Sequence, residues 1–392
     1  MPKTMRKKIN NKLKILRIIT SLNPKFGGPA TGIIESSKDL ILKGHNVTIL
    51  TLDKDTKNSF NINKIKIINF KNYIGENYKF SFNFFYWLLR KHRIYDHVIV
   101  HGIWQFPSLA ARLILNGKYF VFTHGQLDPY FSLNWFKKIK KQFYWFLIER
   151  QNLVKCKSIL LTSKGEKKSL KNTFVNCNGI KKKVINYGII KPTLEKKKNI
   201  KLFYKKIPSL KNKKFFLFLG RFDEKKGCEI LIKSIFKLKN KFDDKVLLAG
   251  PGFGDKYQVF LERLVNKYKL NDKILFSGPL YKELKWGSIM ASECMLLSSH
   301  GENFGISLVE SLSVSVPVIT TDKVNISNEI LNSGAGLISK NTVSGFSNNL
   351  LKFIQFNKKQ KLYMSQQALK CFENNFDISS NKKTLSNILL KK

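Results

Sequence analysis

The sequence predicts an α/β protein made of two Rossmann-like, doubly wound domains facing each other across a cleft. Three observations predict it. The 392 residues exceed what one ordinary core holds and suit two domains of roughly 150–200 residues each. Short β-branched runs alternate with helix-length segments, the mark of parallel βαβ units. The alternation lapses in a Lys- and Pro-rich linker around Ile190–Lys213 and restarts with the continuous apolar run Phe215–Leu219, FFLFL, as a strand buried on both faces requires. The expected domains are residues 1–190 and 191–375.

In the first half, Leu13–Thr20 reads as a strand, followed by a Gly27-Gly28-Pro29 loop and a helix from about Ala30 to Lys43, which Gly44 ends. Further strands are expected at His45–Leu52, Lys64–Phe70, Tyr95–Val100, Lys118–Thr123, Ser158–Thr162 and Lys183–Asn186. Two of them run into His-Gly pairs, His101-Gly102 and His124-Gly125. The second half continues with strands at Lys245–Leu248, Lys273–Phe276, Cys294–Leu297 and Pro317–Thr320, separated by helical segments.

With 43% hydrophobic and 12% aromatic residues the chain can bury sizeable cores, unlike a disordered sequence. The balance of 71 Lys plus Arg against 26 Asp plus Glu, a net charge of +45, suits a polyanionic partner. It equally fits compositional drift in a sequence rich in Lys, Asn, Ile and Phe. Lys is spread along the whole chain rather than grouped on one stacking surface, so no nucleic-acid partner is expected; an anionic membrane surface stays open. The apolar runs Phe82–Leu89 and Phe143–Ile148 are far short of the roughly 20 residues a membrane span needs. Basic residues within Met1–Lys14 lead into a strand pattern with no small-residue cleavage site, so a signal peptide is not expected. Five dispersed cysteines, Cys156, Cys177, Cys228, Cys294 and Cys371, suggest a reducing compartment. The expectation is a cytoplasmic protein, with peripheral attachment to the inner face of a membrane as the open variant.

The segment Ser298–Glu310, SSHGENFGISLVE, carries the most chemistry. A Gly-rich strand-to-helix turn exposes backbone N–H groups at a helix N-terminus, where partial positive charge favours phosphate. Gly305, Ile306, Ser307 and Leu308 are placed to present them. Glu302 before the turn and Glu310 inside the helix can face one cleft, one carboxylate holding sugar hydroxyls and the other ribose hydroxyls. The alternative keeps Glu302 as a helix cap and Glu310 as a solvated helical residue.

Glu302-Asn303-Phe304-Gly305 through Glu310 resembles the nucleotide-sugar-dependent glycosyltransferases of family 4, retaining enzymes of GT-B fold marked by two glutamates with seven residues between them around an E-x-F-G turn. The resemblance covers nearly the whole chain. It implies that Asn303 and Phe304 belong to the donor site, and that Arg221 and Lys226 in Gly220–Gly227, GRFDEKKG, are the cation pair that meets the departing diphosphate. Lys225 is the solvated alternative to Lys226. It further implies that Gly27 and Gly28 bring backbone close to the donor diphosphate, and that His124 lies near the reacting sugar with His101 as competitor. Gly250 and Leu280, in the loops Ala249–Gly252 and Gly278–Leu280, stand around the nucleotide base. His101 and Asp128 are acceptor-side candidates, Asp128 being equally a loop cap.

Retention is likewise implied by the resemblance. No acidic residue is assigned as nucleophile by spacing, so a front-face transfer is expected, with no cofactor and no metal. The partners implied are a nucleotide-diphosphate sugar and a saccharide or lipid-linked acceptor. A GT-B epimerase or phosphorylase and a basic nucleic-acid-binding protein are the rival readings. Such enzymes return their last helices to the N-terminal domain, so the amphipathic stretch of about Leu362–Leu390 is expected to cross back, with residues 376–392 as the returning helix. Tyr78–Arg93 and Trp135–Arg150 mix aromatic and basic residues as interfacial helices do; packing of their aromatic faces on the first sheet is the alternative.

Overall fold

A computed structural model of the protein describes residues 12–23, 28–54, 64–71, 73–128, 135–173, 175–252, 254–379 and 384–390, the side chains of 135–138 excepted. Gly27 lies outside the described residues. The first half carries strands β1 (Lys14–Ile19), β2 (Asn46–Thr51), β3 (Lys66–Asn69), β4 (His97–His101), β5 (Tyr119–Phe122), β6 (Ser158–Leu161) and β7 (Lys182–Val184). Its helices are α1 (Gly28–Leu42), α2 (Phe82–Lys91), α3 (Phe106–Leu115), α4 (Trp135–Tyr144), α5 (Arg150–Lys155) and α6 (Lys164–Ser169). A π-helical turn, Trp145–Glu149, joins α4 to α5. The seven strands pair in the order β3-β2-β1-β4-β5-β6-β7, all parallel.

The second half opens with α7 (Lys196–Lys206), followed by β8 (Phe215–Leu219), α8 (Cys228–Lys237), β9 (Lys245–Ala249), α9 (Lys256–Lys267), β10 (Ile274–Gly278), α10 (Lys282–Ala291) and β11 (Cys294–Leu297). It continues with α11 (Ile306–Ser313), β12 (Val318–Thr321), α12 (Ser327–Asn332), β13 (Gly336–Ser339), α13 (Val343–Gln355), α14 (Lys358–Asn375) and α15 (Leu385–Leu390). Its sheet has the order β10-β9-β8-β11-β12-β13, again all parallel. In each sheet the order reverses beside the first strand, between β1 and β4 and between β8 and β11. At such a switch point the loops leaving the strand ends diverge and open a crevice.

Two elements differ from the sequence expectation. The linker contains a helix: α7 carries a stripe, Asn199 and Phe203 buried with Tyr204 packed beside them, among exposed lysines. It packs on α10 so closely that a Cβ on Gly287 would stand 2.2 Å from the Asn199 carbonyl oxygen. Strand β13, GLIS, was not expected, because four residues at a sheet edge with two of them half-buried leave too little pattern to read.

The C-terminal stretch divides at Asn375. Helix α14 stays with α11 and α12, so the return does not begin at Leu362. The chain crosses where Asp377 bridges Ile189 in parallel, and Gly188 lies where a Cβ would meet the Phe376 carbonyl at 1.8 Å. Beyond it, α15 rests on α1, and Ser386 Oγ lies 2.9 Å from His45 Nε2. One apolar core runs from a face of the first sheet through Tyr187, Phe304 and Phe376 into the whole second sheet. The other face of the first sheet is covered separately, with Phe84, Leu88, Phe106 and Trp145.

Candidate active site

Both switch points open on the same region. On the C-terminal side, β8 leads into a single 3-10 turn, Glu224–Lys226, whose start is capped by Asp223 accepting from Lys225 N at 3.0 Å. Gly227 ends it with φ 63°, and a Cβ there would sit 2.3 Å from the Ser298 carbonyl. Only glycine satisfies both demands. The turn directs Lys226 Nζ onto Glu302 Oε2, a charge-assisted hydrogen bond between two mostly covered side chains. Burial pushes the Glu302 carboxyl up, but the Lys226 charge and hydrogen bond, the Lys225 charge and the Gly305 N–H outweigh it and hold it below the ordinary range.

Gly305, with φ 73° and ψ 60°, is the N-cap of α11 and offers no side-chain cap. Leu308 N already donates to Gly305 O at 2.9 Å, and Gly305 N–H bears on Glu302. The expected cradle of four amides is therefore corrected to two: those of Ile306 and Ser307 have no acceptor among the described residues. Glu310 is neither solvated nor free, since Lys285 of α10 donates to its Oε1 at 2.6 Å and its side chain is 5% exposed. Arg221 keeps different company from Lys226. Its guanidinium is 3.9 Å from Asp223 Oδ2 and lines a cleft of about 460 Å³ with Pro251, Gly252, Pro279 and Tyr281.

Other expected donor residues serve the fold itself. Gly250 is needed because a Cβ would lie 1.7 Å from the Gly220 carbonyl, and the side chain of Leu280 is buried. Phe304 is 6% exposed and is held edge-on by Tyr187 at 4.9 Å and Phe376 at 5.7 Å. That makes it a packing group between the halves. Asn303 Nδ2 donates to Thr162 Oγ1 at 3.0 Å, joining the E-N-F-G turn to the end of β6.

On the N-terminal side, Gly28 opens α1, and among the described residues nothing lies within 4 Å of where its Cβ would be. His124 has φ 47°, an uncommon conformation for a non-glycine residue. Buried Glu166, absent from the sequence expectations, holds that loop. It accepts from Thr123 Oγ1 at 2.7 Å and Gly125 N at 3.0 Å through one oxygen, and from Thr162 N at 2.7 Å and Thr162 Oγ1 at 2.8 Å through the other. Gly125 in turn faces Asn303, whose Cβ would be 2.6 Å from an added Cβ. His124 thus sits against the C-terminal half.

His101 is not an acceptor contact. It is 4% exposed, its Nε2 receives Arg17, and its Nδ1 lies 2.9 Å from His124 Nε2, so both nitrogens are engaged inside the protein. Arg17 was also missed. Inside an apolar strand it is fully buried. Lys225 is not solvated either, since its Nζ reaches to 3.9 Å from Asp128 Oδ2, which places Asp128 in an ion pair between the halves. Missed as well was His300, whose Nε2 is 2.5 Å from Glu229 and whose Nδ1 is 2.7 Å from Asn341 Oδ1. Among the described residues no group of three or more His, Cys, Asp or Glu is placed to hold a metal.

The arrangement offers cations and two unpaired helix amides to an anion, beside carboxylates suited to hydroxyls. Residues 26–189 match the family Glycosyltransferase Family 4 and residues 199–370 match Glycosyl transferases group 1. Two facing Rossmann-like halves with these matches define a glycosyltransferase of GT-B architecture. The chain belongs to the family 4 glycosyltransferases of that fold. It is 25% identical over 244 residues to an uncharacterized glycosyltransferase of Methanocaldococcus jannaschii, 62% of this chain and 60% of that protein. It is 27% identical over 136 residues to the N-acetyl-alpha-D-glucosaminyl L-malate synthase of Bacillus anthracis, 34% of each chain. The matches thus span less than two thirds of these relatives. In fold, it is similar to a glycosyltransferase of Rickettsia africae (TM-score 0.75, 20% identity, 97% of this chain and 100% of that one). It is also similar to HepE of Anabaena in complex with UDP-glucose (TM-score 0.74, 15% identity, 96% and 99%).

Proposed function

We propose that the protein transfers a sugar from a nucleoside diphosphate to an acceptor hydroxyl with retention at the anomeric carbon. The acceptor oxygen forms its bond to that carbon on the face from which the diphosphate leaves. The carbon–oxygen bond to the β-phosphate breaks, its electron pair stays with the phosphate, and a phosphate oxygen takes the acceptor proton. Lys226 and the Ile306 and Ser307 amides meet the charge that grows on the leaving group, the type of preorganised stabilisation that contributes most to such reactions. Glu302 then exchanges Lys226 for sugar hydroxyls, while Glu310, steadied by Lys285, faces the ribose. Arg221 stands on the nucleotide side of the cleft, and no metal is required. The observation that carries this reading is the Lys226–Glu302 pair at the uncapped start of α11. HepE, similar in fold, is described in complex with UDP-glucose.

The acceptor belongs to cell-envelope polysaccharide or glycolipid, and the enzyme works at an anionic membrane surface on the cytoplasmic side. In support, Phe84, Leu88 and Trp145 pack inward, but Phe82, Tyr86 and Leu89 on α2 and Phe143, Phe146 and Leu147 around the π-helical turn are exposed. Exposed Arg90, Lys91 and Lys140 flank them. Helices with apolar and basic surface of this kind suit the headgroup region. Among the described residues no helix is long and apolar enough to cross a membrane.

The direct test is a thermal-shift screen against nucleotide sugars and nucleoside diphosphates. A true donor at a hundred times its Kd stabilises by about 2.7 kcal/mol. A uniform absence of stabilisation overturns the reading.

A further inference from the structure

We propose that Arg17 and His101 are positioning residues that fix His124 in one tautomer, so that its Nδ1–H is the donor presented to the sugar. The last clause rests on the transferase reading; the tautomer itself does not.

Arg17 comes from β1, an internal strand buried on both faces, where an apolar residue is called for. Its Nη1 donates to Ile33 O at 3.0 Å and to Ser36 and Ser37 Oγ at 2.8 Å each. Its Nε and Nη2 both reach His101 Nε2, at 3.2 and 3.1 Å. No carboxylate pairs with it among the described residues. A buried cation is costly unless every donor is matched, and the one ring nitrogen facing two of its N–H groups carries that match.

The chemistry then runs one way. A guanidinium donates and never accepts, so His101 Nε2 must hold a lone pair. The neutral ring therefore carries its proton on Nδ1, which donates across 2.9 Å to His124 Nε2. His124 must accept there, and its own proton lies on Nδ1. That nitrogen has no partner among the described residues. Burial first, and then the Arg17 charge, push both imidazoles to lower pKa, His124 to about 3, so neither escapes the constraint by protonating.

The rings are also held in place. Phe122 lies nearly parallel to both rings, at 4.9 Å from His101 and 5.4 Å from His124; the two imidazoles are inclined by only 24° with centroids 5.2 Å apart, as an edge-to-edge hydrogen bond requires, and Tyr187 stands edge-on to His124 at 6.2 Å. Glu166 holds the residues on either side of His124, through the Thr123 hydroxyl and the Gly125 N–H. What remains is a neutral N–H donor of set direction beside Asn303. Such a donor can bond a sugar hydroxyl without adding positive charge next to an anomeric carbon that becomes electron-poor.

The test is a long-range 1H–15N correlation spectrum of the full chain labelled at histidine, with His101 and His124 assigned through His101→Gln and His124→Gln. Both rings are expected as Nδ1–H at pH 7. A wild-type His124 carrying its proton on Nε2 overturns the proposal. Arg17→Met should let His124 populate both tautomers; an unchanged His124 spectrum overturns the part given to Arg17. If Arg17→Met does not fold, the pair His101→Gln and His101→Leu decides. A carboxamide accepts from Arg17 through oxygen and donates to His124 through nitrogen, so Gln keeps the tautomer and Leu releases it. Identical His124 signals in the two variants overturn the relay. These spectra need no substrate, so they stand or fall apart from the transferase reading. With a donor in hand, His101→Leu should lower kcat about tenfold, the scale of one neutral hydrogen bond, and His101→Gln should restore it.

Discussion

The two edges of the cleft use opposite electrostatics. On the N-terminal edge the polar groups are buried, joined to one another and fixed: Arg17 to His101 to His124, and Glu166 to the backbone around His124. On the C-terminal edge they are paired charges at a glycine-rich surface: Lys226 with Glu302, Lys285 with Glu310, and Arg221 half-exposed near Asp223. A buried network resists rearrangement, because removing one member leaves the others unpaired at low dielectric. A mostly covered ion pair can release its partner only to a ligand that matches the charge or hydrogen bonds it gives up. Orientation comes from the first edge and charge from the second.

Breaking the charge edge should have the largest effect. Lys226→Met and Glu302→Gln are each expected to lower kcat by about 10²–10³, the scale for one preorganised charge-stabilising group. Steady-state rates with the identified donor check this, and wild-type rates in either variant would assign that residue to structure. Breaking the orienting edge should cost less in kcat and show strongly in stability. Glu166→Ala leaves two backbone N–H groups and two threonine hydroxyls without their acceptor, and roughly 3 kcal/mol or more should be lost in urea unfolding. An unaltered midpoint would mean that water replaces the carboxylate.

The pH dependence sharpens the contrast from a third buried carboxylate. Glu149, in the π-helical turn, accepts from Trp104 N at 3.1 Å and Ser108 Oγ at 2.6 Å, and burial raises its carboxyl to about 7 despite those bonds. Its folded value stands above the unfolded value of about 4.3. The stability it contributes is therefore fully present below the unfolded value and is lost as pH rises through the folded one, on the order of 3 kcal/mol in total. Glu149→Gln should flatten the decline of Tm between pH 5 and 8 relative to wild type. Parallel profiles would show that the group titrates normally.

The smallest effect on folding is expected at the exposed aromatics. Phe82→Ser and Phe146→Ser should leave stability within about 0.5 kcal/mol. They should reduce sedimentation with phosphatidylglycerol vesicles at low salt while binding to phosphatidylcholine stays weak throughout. Equal binding by wild type and variants would remove these side chains from the membrane surface.

Where sequence reasoning failed, it failed on single polar residues. Glu166 lies in KGEKKS, a segment that reads as a solvated helix face, yet it is 2% exposed. Lys285 was one lysine among many. Leu308 and Gly305 were expected to offer amides that the turn itself engages, and Phe304 and His101 were placed at a ligand when packing and hydrogen bonding hold them inside. The linker helix α7 was masked by its lysines, although its apolar stripe is present in the sequence.

Local sequence encodes the alternation of strand and helix, and with it two parallel sheets and the loops at their carboxyl ends. It also encodes the turn chemistry of Gly227 and Gly305 and the spacing of Glu302 and Glu310. These are local properties, set by neighbours within a few residues through backbone sterics and side-chain period. Which polar groups meet is set by the packing of distant segments. Arg17 and His101 are 84 residues apart, and Asn303 and Thr162 are 141 apart. Nothing in the local pattern of either partner encodes the other, because a buried hydrogen bond depends on where two strands or two halves come to lie. The cost of burying a guanidinium or a carboxylate is what selects the partner once they do.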